Sequence, residues 1–568
     1  MVAKIQNIEY PEIFFGFVAP IGVDVQSSVS GFKKILSSFG YNVVEIKVTS
    51  IFENLKQTFK PPTKLETRPL FERYESHIGY GNHLRGKFED DAILAALTIG
   101  RIFRSRPAEQ AEKNIKPFTR TCYLLHQFKR KEEIDLLRSV YGQFFFQVSI
   151  YSRRGARVDY LAHKFANSEN SGFIDRFRER AERLVQKDQI ESDVAHGQRI
   201  SKVFAEGDFI INTDIQEPST LEQIERFCEL LFGSNSISPN KSEYGMFVAK
   251  AAALRTLDLS RQVGAAVFSL EGEIVSIGSN EVPKGSGGTY WSDDQYDDRE
   301  FRREEDSNDR RKKEILTEIV NILKLNLDDV LKNKSIQDSQ FMDALEYGRI
   351  VHAEMSAISD AARLGRPLKN SLLYCTTFPC HMCAKHIVAA GVSKVVFLEP
   401  YPKSLVLDLH SDSIVIEKGE RGKYQSYPCV EFEHFSGISP RRYRELFERS
   451  KRKNDDGKFV PYLDGEKKPV IKAGYMFYER FEKQIYDEYL RNLFNDKGID
   501  IGILERDRAG VADAANSSSK RKPREKAAQV VPSKGKPRRS TVGGNPPPKA
   551  PRQRDGRNKP AAGDDAGS

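Results

Sequence analysis

The chain has 568 residues, 39% hydrophobic and 30% charged, with 39 Gly and 26 Pro, a composition that excludes a collagen-like or wholly disordered chain and leaves room for several domains. It has no apolar run of about 18 residues to span a membrane, no secretory pattern in MVAKIQNIEYPEIFF, and six cysteines that make no disulfide framework, so the expectation is a cytoplasmic protein with reduced thiols. The net charge of +9 resides in residues 509–568, which hold 14 Lys+Arg against 5 Asp+Glu and leave the remainder balanced.

From the N-terminus, an apolar run Ile13–Pro20 predicts a strand, Ser28–Phe39 a helix and Asn42–Val48 a second strand, the opening of an α/β sheet. The loop Gly16-Phe17-Val18-Ala19-Pro20-Ile21-Gly22-Val23-Asp24 stands where a phosphate-binding loop would. Such a loop needs Lys and Ser/Thr after its last glycine, and here Val23 and Asp24 take those places. Gly16 and Gly22 are therefore doubtful nucleotide contacts, and phosphoryl transfer is not expected. The segment Gly233–Lys241, rich in Gly, Ser, Asn and Pro, divides a first region at 11–232 from a second at 243–500. In the second, a helix Tyr244–Leu259 precedes strands Val263–Ser269 and Ile274–Gly278. A charged insertion at about 291–346 reads as solvated surface, with a lid over a site as the other reading. Residues 509–568 are poor in aromatics and rich in Pro, Gly, Lys and Arg. They read as a disordered tail, either an electrostatic arm for RNA or DNA or a solubilising extension.

The strongest chemical signal is His352-Ala353-Glu354, followed by Pro379-Cys380-His381-Met382-Cys383. It resembles the H-x-E…P-C-x-x-C signature of zinc-dependent nucleobase deaminases. Helices are predicted over Glu354–Leu364 and Cys380–Ala390, with strands at Ser371–Thr377 and Lys394–Leu398, so both motif halves fall at helix N-termini. Cys380 and Cys383, three apart, share a helix face, and the helix dipole favours the thiolates that bind metal. His352, Cys380 and Cys383 would leave a tetrahedral Zn²⁺ one open position for water, whose pKa falls from 15.7 to about 7 on zinc. Glu354, not a ligand, is the candidate proton carrier for hydrolytic loss of ammonia.

The second region resembles the cytidine/deoxycytidylate deaminase superfamily over about 250 residues. Ser260-Arg261-Gln262-Val263-Gly264-Ala265-Ala266-Val267 is similar to the first-strand motif of deoxycytidylate deaminases, and Gly278-Ser279-Asn280-Glu281-Val282-Pro283 to their G-x-N-x-x-P loop. The resemblance implies that Asn280 holds the sugar or base and that the Ala353 backbone reads the pyrimidine edge. It also implies phosphate contacts at Arg261 and Lys403 and packing of Tyr401 on the base or sugar. Each has a plain alternative: a turn residue for Asn280, solvated charges for Arg261 and Lys403, a core ring for Tyr401. Cys375 reads as a buried thiol, and Cys122 and Cys228 as core.

Gly81-Asn82-His83-Leu84-Arg85, Gln127-Phe128-Lys129-Arg130, Leu137-Arg138-Ser139-Val140-Tyr141-Gly142 and Gly197-Gln198-Arg199-Ile200 resemble pieces of a nucleoside/nucleotide kinase-like domain. The order of the two regions is similar to the bacterial antiphage dCTP/deoxycytidylate deaminase family. That resemblance implies an α/β fold with a P-loop kinase-like domain before a cytidine deaminase-like α/β/α domain. It further implies deamination of dCMP and dCTP that drains the cytosine nucleotide pool, a homo-oligomer, and a regulatory RNA. The competing expectations are a polynucleotide deaminase using the basic tail, and a regulatory nucleotide-binding module with an inert site.

Overall fold

In the computed structural model, residues 8–105, 120–189, 200–401, 404–449, 451–462, 467–471, 477–499 and 501–502 are described. The expected disordered tail at 509–568, Lys403 and the motif at 197–199 lie outside the described residues.

Twelve strands form two six-stranded sheets. The first draws on β1 (Ile13–Val18), β2 (Asn42–Lys47), β3 (Thr121–Phe128), β4 (Phe145–Tyr151) and β5 (Phe209–Asn212), closed by β12 (Gly437–Ile438), in the order β12-β5-β4-β1-β3-β2. β1 to β5 pair in parallel and β12 antiparallel. All six residues of β1 are buried, the unbroken apolar run that a strand covered on both faces requires. The second sheet contains β6 (Gly264–Phe268), β7 (Ile274–Ser279), β8 (Leu372–Thr377), β9 (Lys394–Glu399), β10 (Ile414–Ile416) and β11 (Val430–His434), in the order β10-β11-β9-β8-β6-β7. β8 to β11 run parallel, while β6 pairs antiparallel with both β7 and β8.

The helices of eight residues or more are α1 (Val25–Ser38), α2 (Leu70–Phe88), α3 (Ile93–Ser105), α4 (Lys131–Tyr141), α5 (Arg154–Ser168), α6 (Arg178–Gln189), α7 (Thr220–Leu231), α8 (Lys241–Ala253), α9 (Ser307–Ile322), α10 (Ala353–Arg363) and α11 (His381–Ala389). α1 starts three residues before the expected Ser28 because the Asp24 side chain accepts from the Ser27 amide at 3.3 Å and caps the helix there. α8 starts at a capping box of Asn240 and Glu243 and stops at Ala253, six residues short of the expected end. The apolar spacing that suggested a longer helix comes from Leu254, Leu257 and Leu259, which are exposed. The loop they occupy is held instead by Thr256, whose hydroxyl donates to the Asn280 carbonyl, and by the Leu257 amide, 3.1 Å from Glu281 Oε2.

Two features depart from the sequence reading. The insertion at 291–346 is anchored rather than merely solvated. Arg299 and Glu300 are buried; Arg299 pairs with Asp297 at 2.7 Å and Glu281 at 3.5 Å, and the Ser307 hydroxyl donates to Glu300 at 2.9 Å. The chain beyond β11 does not extend the second sheet. β12 joins β5, and a helical run at 478–496 lies on α3, where a Cβ on Gly100 would come within 2.8 Å of Leu490 Cδ1. Tyr478 meets Phe14 edge-on at 5.3 Å and donates, as Tyr123 does, to the buried Glu12. The core under the first sheet thus draws on β1 and on the segment 478–496 that follows the second sheet in the chain.

Candidate active site

α10 and α11 bring their N-termini to one place. His352 is the N-cap of α10 and Cys380 the N-cap of α11, so neither side chain is confined to a helix face. The bridge between Glu281 and Val351 fixes the chain just before His352, and Pro379 directs it into α11. His352 Nδ1 lies 3.3 Å from Cys380 Sγ and 3.3 Å from Cys383 Sγ, and the three donor atoms all fall within 4.8 Å of one another. Among the described residues this is the one such group of His, Cys, Asp or Glu close enough to hold an ion.

The protons are shared unevenly. The Cys383 thiol hydrogen-bonds to Cys380, which with His352 pulls the Cys380 thiol down to about 4. The same bond and burial push Cys383 well above the ordinary thiol value. Its contact with Cys380 carries the His352 imidazole up to about 9. One nitrogen and two sulfurs at this spacing form the donor set of a zinc site with a fourth position left over, and ion binding displaces the protons the trio now shares.

Glu354 is 4% exposed and lies in the first turn of α10, where Cys383 Sγ is 3.4 Å from its Oε2. Burial raises its pKa above the usual carboxylate value, partly opposed by His352. Cys375 is fully buried on β8 beside Glu354 and is not a member of the three-residue group.

A cavity of about 270 Å³ opens onto these groups, and its lining includes His352, Ala353, Glu354 and Cys380 together with Asn280, Arg261 and Tyr401. Cys383 lies behind it in the core. Close approach of backbone explains two of the motif glycines. A Cβ on Gly278 would overlap the Ala353 carbonyl oxygen, and one on Gly264 the Ala249 carbonyl oxygen, so β7 can press on α10 and β6 on α8 only with glycine there.

Asn280 faces the cavity, yet its amide is committed to the loop. Its Nδ2 donates to Asp258 Oδ2 at 2.6 Å and the Arg261 carbonyl at 2.9 Å, and its Oδ1 accepts from the Val263 amide at 2.7 Å. It therefore shapes the wall that carries Arg261. Arg261 is exposed, with its guanidinium 5.6 Å from the Tyr401 ring. Gly16 lies mid-strand in β1, where a Cβ would strike the Phe145 ring; Gly22 turns at φ 89° against Arg157. Gly16 is in the first sheet and Gly22 in the loop that follows β1, and neither lines this cavity.

Sequence reasoning missed Asp258 and Phe378 at the cavity, and gave the insertion a place over a site only as its other reading, without naming Glu300, Asp306, Asn308 and Lys312, which line the cavity. The insertion carries no periodicity that marks it as a wall. Its one usable signal is the density of paired charges around Arg299.

Residues 239–399 match the family model described as the cytidine and deoxycytidylate deaminase zinc-binding region. A deoxycytidylate deaminase of Pongo abelii is 31% identical over 156 residues, 28% of this chain and 63% of the relative. The deoxycytidylate deaminase of Enterobacteria phage T4 is 43% identical over 54 residues, 10% of this chain and 28% of that protein. The chain thus spans less than two thirds of the length of these relatives. A solved dCMP deaminase from cyanophage S-TIM5 aligns with 35% of this chain and 100% of its own at 19% identity and a TM-score of 0.20. The span matched by the cytidine and deoxycytidylate deaminase zinc-binding model contains His352, Glu354, Cys380 and Cys383, of which the first, third and fourth form the one group among the described residues close enough to hold an ion.

Proposed function

We propose that this protein hydrolytically deaminates deoxycytidine nucleotides, dCMP and dCTP, to the corresponding deoxyuridine nucleotides. The observation that carries the reading is the convergence of His352, Cys380 and Cys383 beside the buried carboxylate of Glu354, at the floor of one nucleotide-sized cavity. Zinc held by those three residues supplies Lewis-acid activation of water when bound. Glu354 would carry the two protons of that water in turn, the first to the ring nitrogen as oxygen bonds to C4 and the second, from the resulting hydroxyl, to the departing amine. Water adds to C4 of the cytosine and ammonia leaves, so the exchange is balanced. Burial suits Glu354 to this role, because a raised carboxyl pKa lies nearer neutrality for both uptake and release. Arg261 offers the cation for the phosphate end, and Tyr401 beside it an aromatic face for the sugar or base. Lys403 is a second phosphate contact on this reading.

The insertion contributes Glu300, Asp306, Asn308 and Lys312 to the cavity wall, which favours a mononucleotide over a polymer strand passing through. Purified protein incubated with dCMP, dCTP and single-stranded DNA tests the choice: deoxyuridine nucleotides are expected from the free nucleotides. Uracil formed only in the polymer, or none in any, overturns it. At the level of the cell we propose depletion of the cytosine nucleotide pool during phage infection, tested by plaque formation on hosts expressing the wild type or E354A.

A further inference from the structure

One wall of the cavity is the loop 254–263 between α8 and β6, which supplies Asp258, Ser260, Arg261 and Val263. A side chain outside the lining holds the root of that loop. Glu281 follows Asn280, at a position the G-x-N-x-x-P pattern leaves unspecified, and is 1% exposed. Its Oε2 accepts from the Leu257 amide at 3.1 Å and from Arg299 of the insertion at 3.5 Å, and its Oε1 from the Val282 amide at 3.0 Å. Its backbone exchanges two hydrogen bonds with Val351, at 3.3 and 3.2 Å, one residue before His352. Arg299 is 3% exposed and donates to both oxygens of Asp297, at 2.8 and 2.7 Å.

Three segments therefore meet at one carboxylate: the loop that carries Arg261, the insertion that lines the cavity, and the chain entering α10 with His352 and Glu354. A second tie between loop and insertion, Arg255 over the Trp291 ring at 3.5 Å, lies at the surface, where Trp291 is 52% exposed. Exposed cation–aromatic contacts are weak, whereas a buried carboxylate leaves its donors only at a large desolvation cost, so the buried tie sets the loop. Asn280, the preceding residue, holds Asp258 and the Arg261 carbonyl, so a displacement of Glu281 carries the rest of the loop with it. We propose that Glu281, held by Arg299, is a positioning residue that sets the distance between Arg261 and Glu354, and so selects a substrate with a phosphate at a fixed distance from its base. The inference rests on the deaminase reading above. A misplacement of about 1 Å far from the chemistry can slow a reaction on the order of 10²-fold, so the loop's position is felt although Glu281 does not line the cavity.

Deamination of dCMP and of deoxycytidine by wild type, R299M, E281M and E281M/R299M tests it, with zinc content and circular dichroism as controls. Deoxycytidine lacks the phosphate, so the ratio of kcat/KM for dCMP to that for deoxycytidine reads the placement of Arg261. That ratio is expected to fall about tenfold or more in E281M, mainly through KM for dCMP. R299M alone lowers it too, yet added to E281M changes it less than about twofold, because Arg299 acts through Glu281. A merely structural role lowers both substrates together, so an unchanged ratio, loss of zinc from folded variants, or additive losses overturn the proposal. The double variant exchanges a buried ion pair for apolar side chains, a change that tends to preserve folding. Should no variant fold, hydrogen exchange in the wild type decides: dCMP is expected to slow exchange at 254–263 and 297–303 together, and slowing at the first segment alone overturns it. A wild type that deaminates neither substrate overturns the deaminase reading and this inference with it. One that deaminates both without favouring dCMP overturns this inference alone.

Discussion

At the scale of single residues, Glu354 and His434 are both enclosed, yet burial moves their protons in opposite senses. For the carboxylate, burial favours the protonated form, and on the proposed reaction Glu354 must alternate between the two. Glu354→Gln is expected to slow ammonia release by on the order of 10²–10⁴, with zinc still bound at one per chain by atomic absorption, since the carboxylate is not a ligand. His434, at the end of β11, is stacked on Tyr151 at 4.8 Å and ringed by Phe204 and Phe397. Burial among these rings lowers its pKa to about 4. A base with a depressed folded pKa binds its proton more readily when unfolded, so the stability it confers is full above about 6.5 and is lost as pH falls toward 4. Unfolding free energies from urea titration at pH 7 and pH 5 are expected to differ more in the wild type than in His434→Phe, by on the order of 1–2 kcal/mol.

At the scale of elements, the site depends on where helices begin and on how closely strands approach them. His352 and Cys380 serve the site because each is the last residue before a helix, and Gly264 and Gly278 because each lets a helix rest on the sheet. A buried carboxylate joins α8 to the rest: Glu243 receives both Arg226 guanidinium nitrogens, at 2.8 and 2.7 Å, and the amides of Asn240 and Ile438, each at 2.9 Å. That one side chain links α7, α8 and β12. Glu243→Ala strands the Arg226 charge and two amides, and is expected to lower unfolding stability by about 3–5 kcal/mol, measured by denaturant titration. These links were not legible in the sequence. A glutamate three residues after Asn240 announces a helix start, but nothing in its surroundings names an arginine on the preceding helix or a strand 195 residues later.

At the scale of the whole molecule, the segment after β11 completes the first sheet and its core. Leu446, Tyr478, Tyr486, Leu490 and Phe494 are buried there. At about 1.5–3 kcal/mol for each large apolar side chain, their combined loss is comparable to the roughly 5–15 kcal/mol by which folded domains are stable. A chain ending at residue 436 is therefore expected to be insoluble or to lack a cooperative melt by circular dichroism, although every candidate metal and catalytic residue precedes that point. Among the described residues no helix is long and apolar enough to cross a membrane.

The amino-acid order by itself determined the candidate metal-binding triad, the candidate carboxylate beside it and the strands and helices around them. Each of these is a local pattern, set by spacing within a few residues and by the dipole of a helix start. Only the tertiary structure decided that Asn280 spends its amide on the loop carrying Arg261, that the charged insertion walls the cavity, that Asp188 fills the loop at residues 19–24, and that the C-terminal helices belong under the first sheet. Those outcomes rest on partners from about twenty to hundreds of residues away, and which distant group satisfies a buried donor or covers an apolar ring is fixed when the sheets assemble.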